Sequence, residues 1–182
     1  VRRSDFLRQV DMLRSFFDVV SINEALAGQG ASSVRPRAVL TFDDGHSGWF
    51  DQLLPIVQQQ ALPVTLYVAT SHIEDGKPYW FDRVMNAAQV RTPITVDLTP
   101  FGLGLGRMTF GSESGLKYWL LLSTLLEALK QCSDTQRDDA VAAVEQAAAS
   151  APSRNFKRLH PLTIDQLRAV AASPHVTVAG HS

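Results

Sequence analysis

The stretch Ala38-Val-Leu-Thr-Phe-Asp-Asp-Gly45 decides the expected fold, because an apolar run of strand-forming residues ends there in two carboxylates and a glycine. A buried strand does not accommodate a charge pair cheaply, so Asp43 and Asp44 are expected at the strand's end, facing a cleft or an ion. Adjacent carboxylates repel each other unless a cation or a proton intervenes. The stretch Val176-Thr-Val-Ala-Gly-His-Ser182 repeats the design, with His181 after an apolar strand. Together they favour a metal-assisted hydrolase.

The bulk composition indicates an ordinary globular protein. A chain of 182 residues is long enough for one domain with a sizeable core. The formal net charge of −1 gives no electrostatic reason to expect nucleic acid or an anionic membrane as partner. The most apolar window, 119–129, is too short to span a bilayer, so no transmembrane segment is expected. The chain begins with Val-Arg-Arg-Ser rather than methionine, and both ends are interpreted as cuts.

Strands and helices alternate in the outer parts of the chain. The apolar spacing predicts a helix over 4–18, a short strand near 19–21, a small helix over 22–27 and a loop over 28–36. It then predicts strand one over 38–42, a helix over 49–60 re-initiated at Pro55, and strand two over 64–69. A capping box predicts a helix after Thr163, and strand three follows over 176–179. Strand, helix and strand at this spacing form a βαβ unit of an α/β fold.

The middle of the chain has a different character. A hairpin is expected between 94–98 and 107–110, and the Gly102–Gly106 run is interpreted as its turn, since it lacks the context of a nucleotide-binding loop. Helices are expected over 114–131 and 134–149. We therefore predict four segments: a helical lead-in over 1–37, first barrel elements over 38–83, an insertion subdomain over 84–158, and a barrel continuation over 159–182.

Two motifs of the chain resemble those of a known family. Thr41-Phe-Asp-Asp-Gly45 is similar to the first motif of the polysaccharide deacetylases, the NodB-homology carbohydrate esterases. Gly180-His-Ser182 is similar to the opening of their second motif. The connecting stretches Leu54-Pro-Ile-Val57, Leu62-Pro-Val-Thr65, Tyr67-Val-Ala-Thr70 and Tyr79-Trp-Phe-Asp82 also resemble the family. The resemblance implies a distorted (β/α) barrel with its catalytic groups at the carboxyl ends of the strands.

The resemblance assigns roles to three residues. Asp43 would be the general base that takes a proton from the attacking water, while Asp44 and His181 would be metal ligands. Carboxylate and imidazole ligands suit zinc, with cobalt, manganese or nickel as alternatives. The family's second metal histidine, its arginine and its histidine acid would lie beyond the chain's end. We therefore expect the 182-residue segment alone to be inactive and to bind metal weakly, and detectable deacetylation by it would overturn this expectation.

Other candidate residues have weaker signals. Tyr79 and Trp80 are candidates for stacking on sugar rings, with packing as the alternative. His46 follows the first motif and is assigned either to the cleft or to an exposed loop. Asp82 and Arg83 are interpreted as surface charges. Structural or solvent-exposed roles are favoured for the remaining histidines and the single cysteine: His72, His160, His175 and Cys132.

Three functions remain open from the sequence. The leading hypothesis is a metal-dependent deacetylase that hydrolyses N- or O-acetyl groups of an acetylated polysaccharide or oligosaccharide. The second is a non-catalytic carbohydrate-binding relative, which an apolar residue four positions after His181 would favour. The third is a hydrolase of another non-peptide carbon–nitrogen bond. By family analogy alone, the compartment would be a bacterial cell envelope or the cytoplasm.

Overall fold

A computed structural model describes residues 2–28, 34–154 and 158–181 of the protein. Part of the predicted 28–36 loop and Ser182 of the second motif therefore lie outside the described residues. The helices are α1 (Arg3–Phe16), α2 (Ile22–Leu26), α3 (Leu54–Gln59), α4 (Thr70–Asp75), α5 (Trp80–Ala88), α6 (Gly115–Lys130), α7 (Asp134–Ala148) and α8 (Ile164–Ala171). The strands are β1 (Asp18–Val19), β2 (Arg37–Ala38), β3 (Leu40–Phe42), β4 (Val64–Val68), β5 (Ile94–Asp97), β6 (Arg107–Phe110) and β7 (Val176–Gly180).

The chain divides into two compact units. The first contains Val1–Lys77 and His160–Ser182, and the second contains Pro78–Leu159. The first unit has a parallel three-stranded sheet in the order β3-β4-β7 and a parallel pair of β1 and β2. The second has the antiparallel pair of β5 and β6. The fold is thus a mixture of helices and strands of α/β type, and the described ranges contain no closed barrel.

The three-stranded sheet follows the expected pattern closely. Its strands pair in register, with Phe42 beside Leu66 and Leu66 beside Val178. The central strand β4 is buried along most of its length, as its uninterrupted run of strand-forming residues predicts. One face of the sheet packs into a core with helix residues that include Val10 of α1, Val57 of α3 and Val170 of α8. Burial of such side chains stabilises the unit by about 1.5–3 kcal/mol each.

The predicted first strand is split in two. Arg37–Ala38 pairs with β1, whereas Leu40–Phe42 pairs with β4, so one extended segment has two different partners. The predicted 49–60 helix is also divided, because Pro55 has no N–H to donate to the preceding turn. Trp49–Leu53 is π-helical, with the Leu54 amide donating to the Trp49 carbonyl, and α3 begins at Leu54.

The second unit contains the predicted hairpin and helices. The β5–β6 pair buries alternate residues, among them Val96 and Phe110, against a core that α5, α6 and α7 complete. The Arg83 guanidinium donates from Nε and Nη2 to both carboxylate oxygens of Glu145 at 3.1 and 2.8 Å, which ties α5 to α7. Asp82 is fully buried, so its prediction as a surface charge is wrong. The sequence interpretation missed α5, the helix in which Asp82 lies.

No helix within the described ranges combines the length and the apolar character needed to cross a membrane.

The turn after β3 depends on Gly45. Its φ is +67°, and a Cβ atom there would lie 2.9 Å from Cγ1 of Val68. We predict that Gly45→Ala destabilises the protein by about 1–2 kcal/mol from the backbone strain alone, with the clash against β4 adding to it. Chemical denaturation monitored by circular dichroism measures the change.

Gly48→Ala is the matched control for this prediction. Gly48 has φ −58°, and no heavy atom of the described residues lies within 4 Å of the position that a Cβ atom would take there. Alanine should therefore be neutral or slightly stabilising at this position. Equal unfolding free energies for the two variants would contradict the role assigned to Gly45.

Candidate active site

The candidate site lies at the carboxyl edge of the parallel sheet in the first unit. Asp43 and Asp44 follow Phe42, the last residue of β3, and His181 follows Gly180, the last residue of β7. The His181 amide donates to the Val68 carbonyl at 2.9 Å, which extends the pairing of β7 with β4 by one residue. Parallel strands end at the same edge of a sheet, so this topology directs all three residues to one place.

Asp44 and His181 are close together. Nδ1 of His181 lies 3.7 Å from Oδ1 of Asp44, and both side chains are partly exposed. The other carboxylate oxygen of Asp44, Oδ2, lies 3.9 Å from Nε2 of His46. The Asp44 carboxylate is therefore flanked by two imidazoles, one on each oxygen. The sequence interpretation left the position of His46 open, and the structure places it beside the motif.

The backbone of the site is held in an unusual conformation. Asp44 has φ +71° and Gly45 has φ +67°, so both residues of the turn are left-handed. The Gly45 amide donates to the Asp43 carbonyl at 2.9 Å. Aspartate and asparagine tolerate this region better than most residues with a side chain. This turn separates the exposed Asp43 side chain from Asp44 and gives two adjacent carboxylates different surroundings.

Backbone hydrogen bonds from the 160–162 segment hold the turn at Asp44 and Gly45. The Leu162 amide donates to the Gly45 carbonyl at 2.8 Å, and the Ser47 amide donates to the His160 carbonyl at 2.9 Å. Between them, His46 forms an isolated antiparallel bridge with Pro161. His160 therefore contributes through its backbone, and its ring Nδ1 lies 2.9 Å from the Pro161 carbonyl oxygen.

A cavity of about 500 Å³ opens beside Asp43. The rings of Phe6, Phe42 and Trp49 line it and contact one another edge to face, with centroids 6.2 and 6.1 Å apart. Trp49 is 6% exposed, and its Nε1 has no hydrogen-bond partner within the described part of the chain. Polar side chains, including those of His46 and Gln52, also line the cavity. The sequence interpretation did not identify this cavity, because α1 contributes Phe6 from a segment far from the motif.

The donor atoms of Asp44 and His181 fit a divalent metal. Two ligand atoms bound to one zinc ion at tetrahedral angles lie about 3.3 Å apart. The observed separation of 3.7 Å between Oδ1 and Nδ1 is a few tenths of an ångström longer. In the described ranges, no group of three or more His, Cys, Asp or Glu side chains is arranged to hold a metal ion. At the carboxyl edge of the sheet, the chain thus brings together two suitable ligand atoms, Asp44 Oδ1 and His181 Nδ1.

Three other candidate residues, Tyr79, Trp80 and His72, lie in or next to different elements from those that Asp43, Asp44 and His181 follow. Tyr79 and Trp80 belong to the second unit, where the Tyr79 ring stacks on Phe81 with centroids 5.1 Å apart. Trp80 is partly buried, and the Arg137 guanidinium lies 5.3 Å from its ring centroid. His72 is in α4 and its Nδ1 lies 2.9 Å from the Lys77 carbonyl oxygen. A sugar contact by Tyr79 or Trp80 stays a prediction.

The left-handed backbone at Asp44 leads to a prediction about stability that is independent of the proposed function. We expect Asp44→Asn to change the free energy of unfolding very little, because asparagine also tolerates positive φ. Asp44→Val should destabilise the protein by about 1–2 kcal/mol, since a β-branched residue is strained in this region. Thermal and urea unfolding of the two variants measure the difference. Equal stabilities would show that Asp44 is not held at positive φ in solution.

Comparison with known protein families gives a match in the first part of the chain. Residues 31–92 match the family model described as polysaccharide deacetylase, and this range contains the Asp43–Asp44 motif, β3 and β4. The resemblance inferred from the sequence is therefore confirmed for this part of the chain. No curated protein and no solved structure is significantly similar to the chain. The family implies a hydrolase that acts on acetyl groups of a carbohydrate.

Proposed function

We propose that this protein, which carries a polysaccharide deacetylase match over residues 31–92, is a metal-dependent enzyme that hydrolyses acetyl groups on a glycan. The observation that carries the proposal is the 3.7 Å approach of Asp44 Oδ1 and His181 Nδ1 beside the exposed Asp43. We also propose that the three parallel strands β3, β4 and β7 are part of a distorted (β/α) barrel of the NodB type. Their shared carboxyl edge supports this assignment.

The two adjacent carboxylates are proposed to have different roles, Asp44 in metal binding and Asp43 in proton transfer. Asp44 and His181 would hold a divalent cation, with zinc the first choice and cobalt, manganese or nickel as alternatives. Such a cation would lower the pKa of a water molecule and polarise the acyl carbonyl. A carboxylate engaged with a cation is poorly basic, so Asp43 would accept the proton of the attacking water. The products would be acetate and the free amine or hydroxyl of the sugar.

The cavity beside Asp43 supports a sugar substrate. A pyranose ring has apolar C–H faces that aromatic rings can cover and hydroxyl groups that need hydrogen-bond partners. The rings of Phe6, Phe42 and Trp49 can cover the C–H faces of the sugar. His46 and Gln52 are among the polar groups that line the same cavity and can serve the hydroxyl groups. At about 500 Å³ the cavity is far larger than an acetyl group. We therefore assign it to part of the glycan.

Metal binding by the purified 182-residue chain tests the proposal first. Co²⁺ titration, followed by calorimetry and by visible absorption, should give a weak but saturable single site, because the chain supplies two protein ligands. Asp44→Asn and His181→Ala should lose most of the Co²⁺ affinity, because each removes one ligand. Asp43→Asn should retain the affinity, because Asp43 is not assigned as a ligand. Loss of binding in Asp43→Asn, or unchanged binding in the other two variants, would contradict these roles.

Turnover tests the assignment of the base. Acetate release from acetylated chitooligosaccharides should fall about 10²–10⁴-fold in Asp43→Asn relative to the unsubstituted protein. Bound metal, measured by elemental analysis, should stay constant. Full retained activity in this variant would remove Asp43 from the role of base.

A further inference from the structure

Tyr67 projects from the face of the parallel sheet opposite the core that the sheet shares with α1, α3 and α8. Val64, Leu66 and Val68 of β4 belong to that core. Side chains alternate along a strand, so Thr65 and Tyr67 project from the other face. The Tyr67 side chain is partly exposed. Its hydroxyl is not buried, and no group in the described part of the chain forms a hydrogen bond with it.

His181 projects from the same face as Tyr67. Val178 of β7 packs against the core, so Ala179 and His181 alternate toward the other side. The strand pairing continues as far as His181, because its amide donates to the Val68 carbonyl at 2.9 Å. Tyr67 pairs directly with Ala179, two residues before His181. A long aromatic side chain can reach such a diagonal neighbour on the next strand.

Asp44 and His181 meet over the carboxyl end of β4. This strand is central in the sheet, with β3 on one side and β7 on the other. Asp44 follows β3 and His181 follows β7, yet Asp44 Oδ1 and His181 Nδ1 are 3.7 Å apart. Their contact therefore spans β4. Tyr67 is the last residue of β4 whose side chain lies on that face, because the next residue, Val68, belongs to the core.

We propose that the Tyr67 hydroxyl donates a hydrogen bond to the acyl oxygen of the substrate. This inference rests on the proposed function and adds a catalytic residue to it. During hydrolysis, negative charge develops on the acyl oxygen, and a tyrosine hydroxyl held on a strand is a suitable donor for it. Tyr67 does not line the aromatic cavity, so this contact concerns the acetyl group and not the rest of the glycan.

Tyr67 is assigned to the acyl group and not to the metal. Zinc in proteins is bound by Cys, His, Asp and Glu side chains, and Asp44 and His181 supply two of these. Removal of the Tyr67 hydroxyl should therefore weaken the binding of an oxygen anion at the site and leave the affinity for the cation unchanged. This difference separates the proposed contact from a general effect on the structure of the site.

Acetate is the probe, because its carboxylate stands for the negatively charged acyl oxygen. We titrate acetate into the 182-residue chain saturated with Co²⁺ and obtain its dissociation constant from the visible absorption of Co²⁺. Tyr67→Phe removes the hydroxyl and keeps the ring. This variant should raise the acetate dissociation constant about tenfold, as expected for the loss of one hydrogen bond to a charged group. Its Co²⁺ dissociation constant should equal that of the wild type. Sodium chloride at equal ionic strength corrects for the effect of salt.

Tyr118→Phe is the matched control. Tyr118 belongs to the second unit, and its buried hydroxyl also has no hydrogen-bond partner within the described residues. This variant should bind both acetate and Co²⁺ like the wild type. Urea unfolding without metal verifies that the two variants fold.

The outcomes distinguish this inference from the proposed function. Equal acetate dissociation constants for the wild type and Tyr67→Phe would overturn the role of Tyr67 and leave the proposed metal site standing. Weaker Co²⁺ binding by Tyr67→Phe, or a wild-type chain that binds Co²⁺ but no acetate, would overturn it as well. If the wild-type chain binds no Co²⁺, the proposed function fails and this inference fails with it.

Discussion

The parallel register of β3, β4 and β7 is the constraint on which the candidate site depends. Phe42, Leu66 and Val178 are level across the sheet, and the three strands point the same way. Asp44 comes two residues after Phe42, and His181 comes three residues after Val178. Asp44 lies in the left-handed turn that follows β3, and the carboxyl edge that β3 shares with β7 brings its Oδ1 to 3.7 Å from His181 Nδ1. A register shift of one residue in either outer strand would turn the alternating side chains to the other face and break the pair.

A second constraint is the left-handed turn at Asp44 and Gly45. It gives the two carboxylates of the motif separate environments, with Asp43 exposed at the aromatic cavity and Asp44 between two imidazoles. Strained backbone of this kind persists only where neighbouring structure holds it. Here the 160–162 segment and the close approach of Gly45 to Val68 provide that support. The turn, rather than either aspartate alone, makes different chemical roles for adjacent carboxylates possible.

Most of what the sequence predicted came from local patterns. The uninterrupted strand-forming run of β4, the capping box before α8 and the apolar alternation of the hairpin each identify one element without reference to the rest of the chain. The placement of Asp43, Asp44 and His181 at one edge also followed, because parallel strands share their carboxyl end. The deacetylase resemblance came from the same motif.

The features that were missed depend on contacts between distant segments. The bridge between His46 and Pro161 joins residues that are far apart in the chain, and no local pattern indicates it. The cavity needs Phe6 from α1 as well as Trp49 from the turn after β3. Asp82 was assigned to the surface because charged residues usually lie there, yet it is fully buried in the structure.

Anomalous diffraction from crystals soaked in Co²⁺ tests the proposed metal site most directly, because it locates the ion without reference to activity. We predict one main anomalous peak at the carboxyl edge of the sheet, within about 2.0–2.3 Å of Asp44 Oδ1 and His181 Nδ1. The Asp43 carboxylate should stay outside the coordination sphere. A peak elsewhere, no peak, or coordination by Asp43 in place of Asp44 would contradict the proposed site.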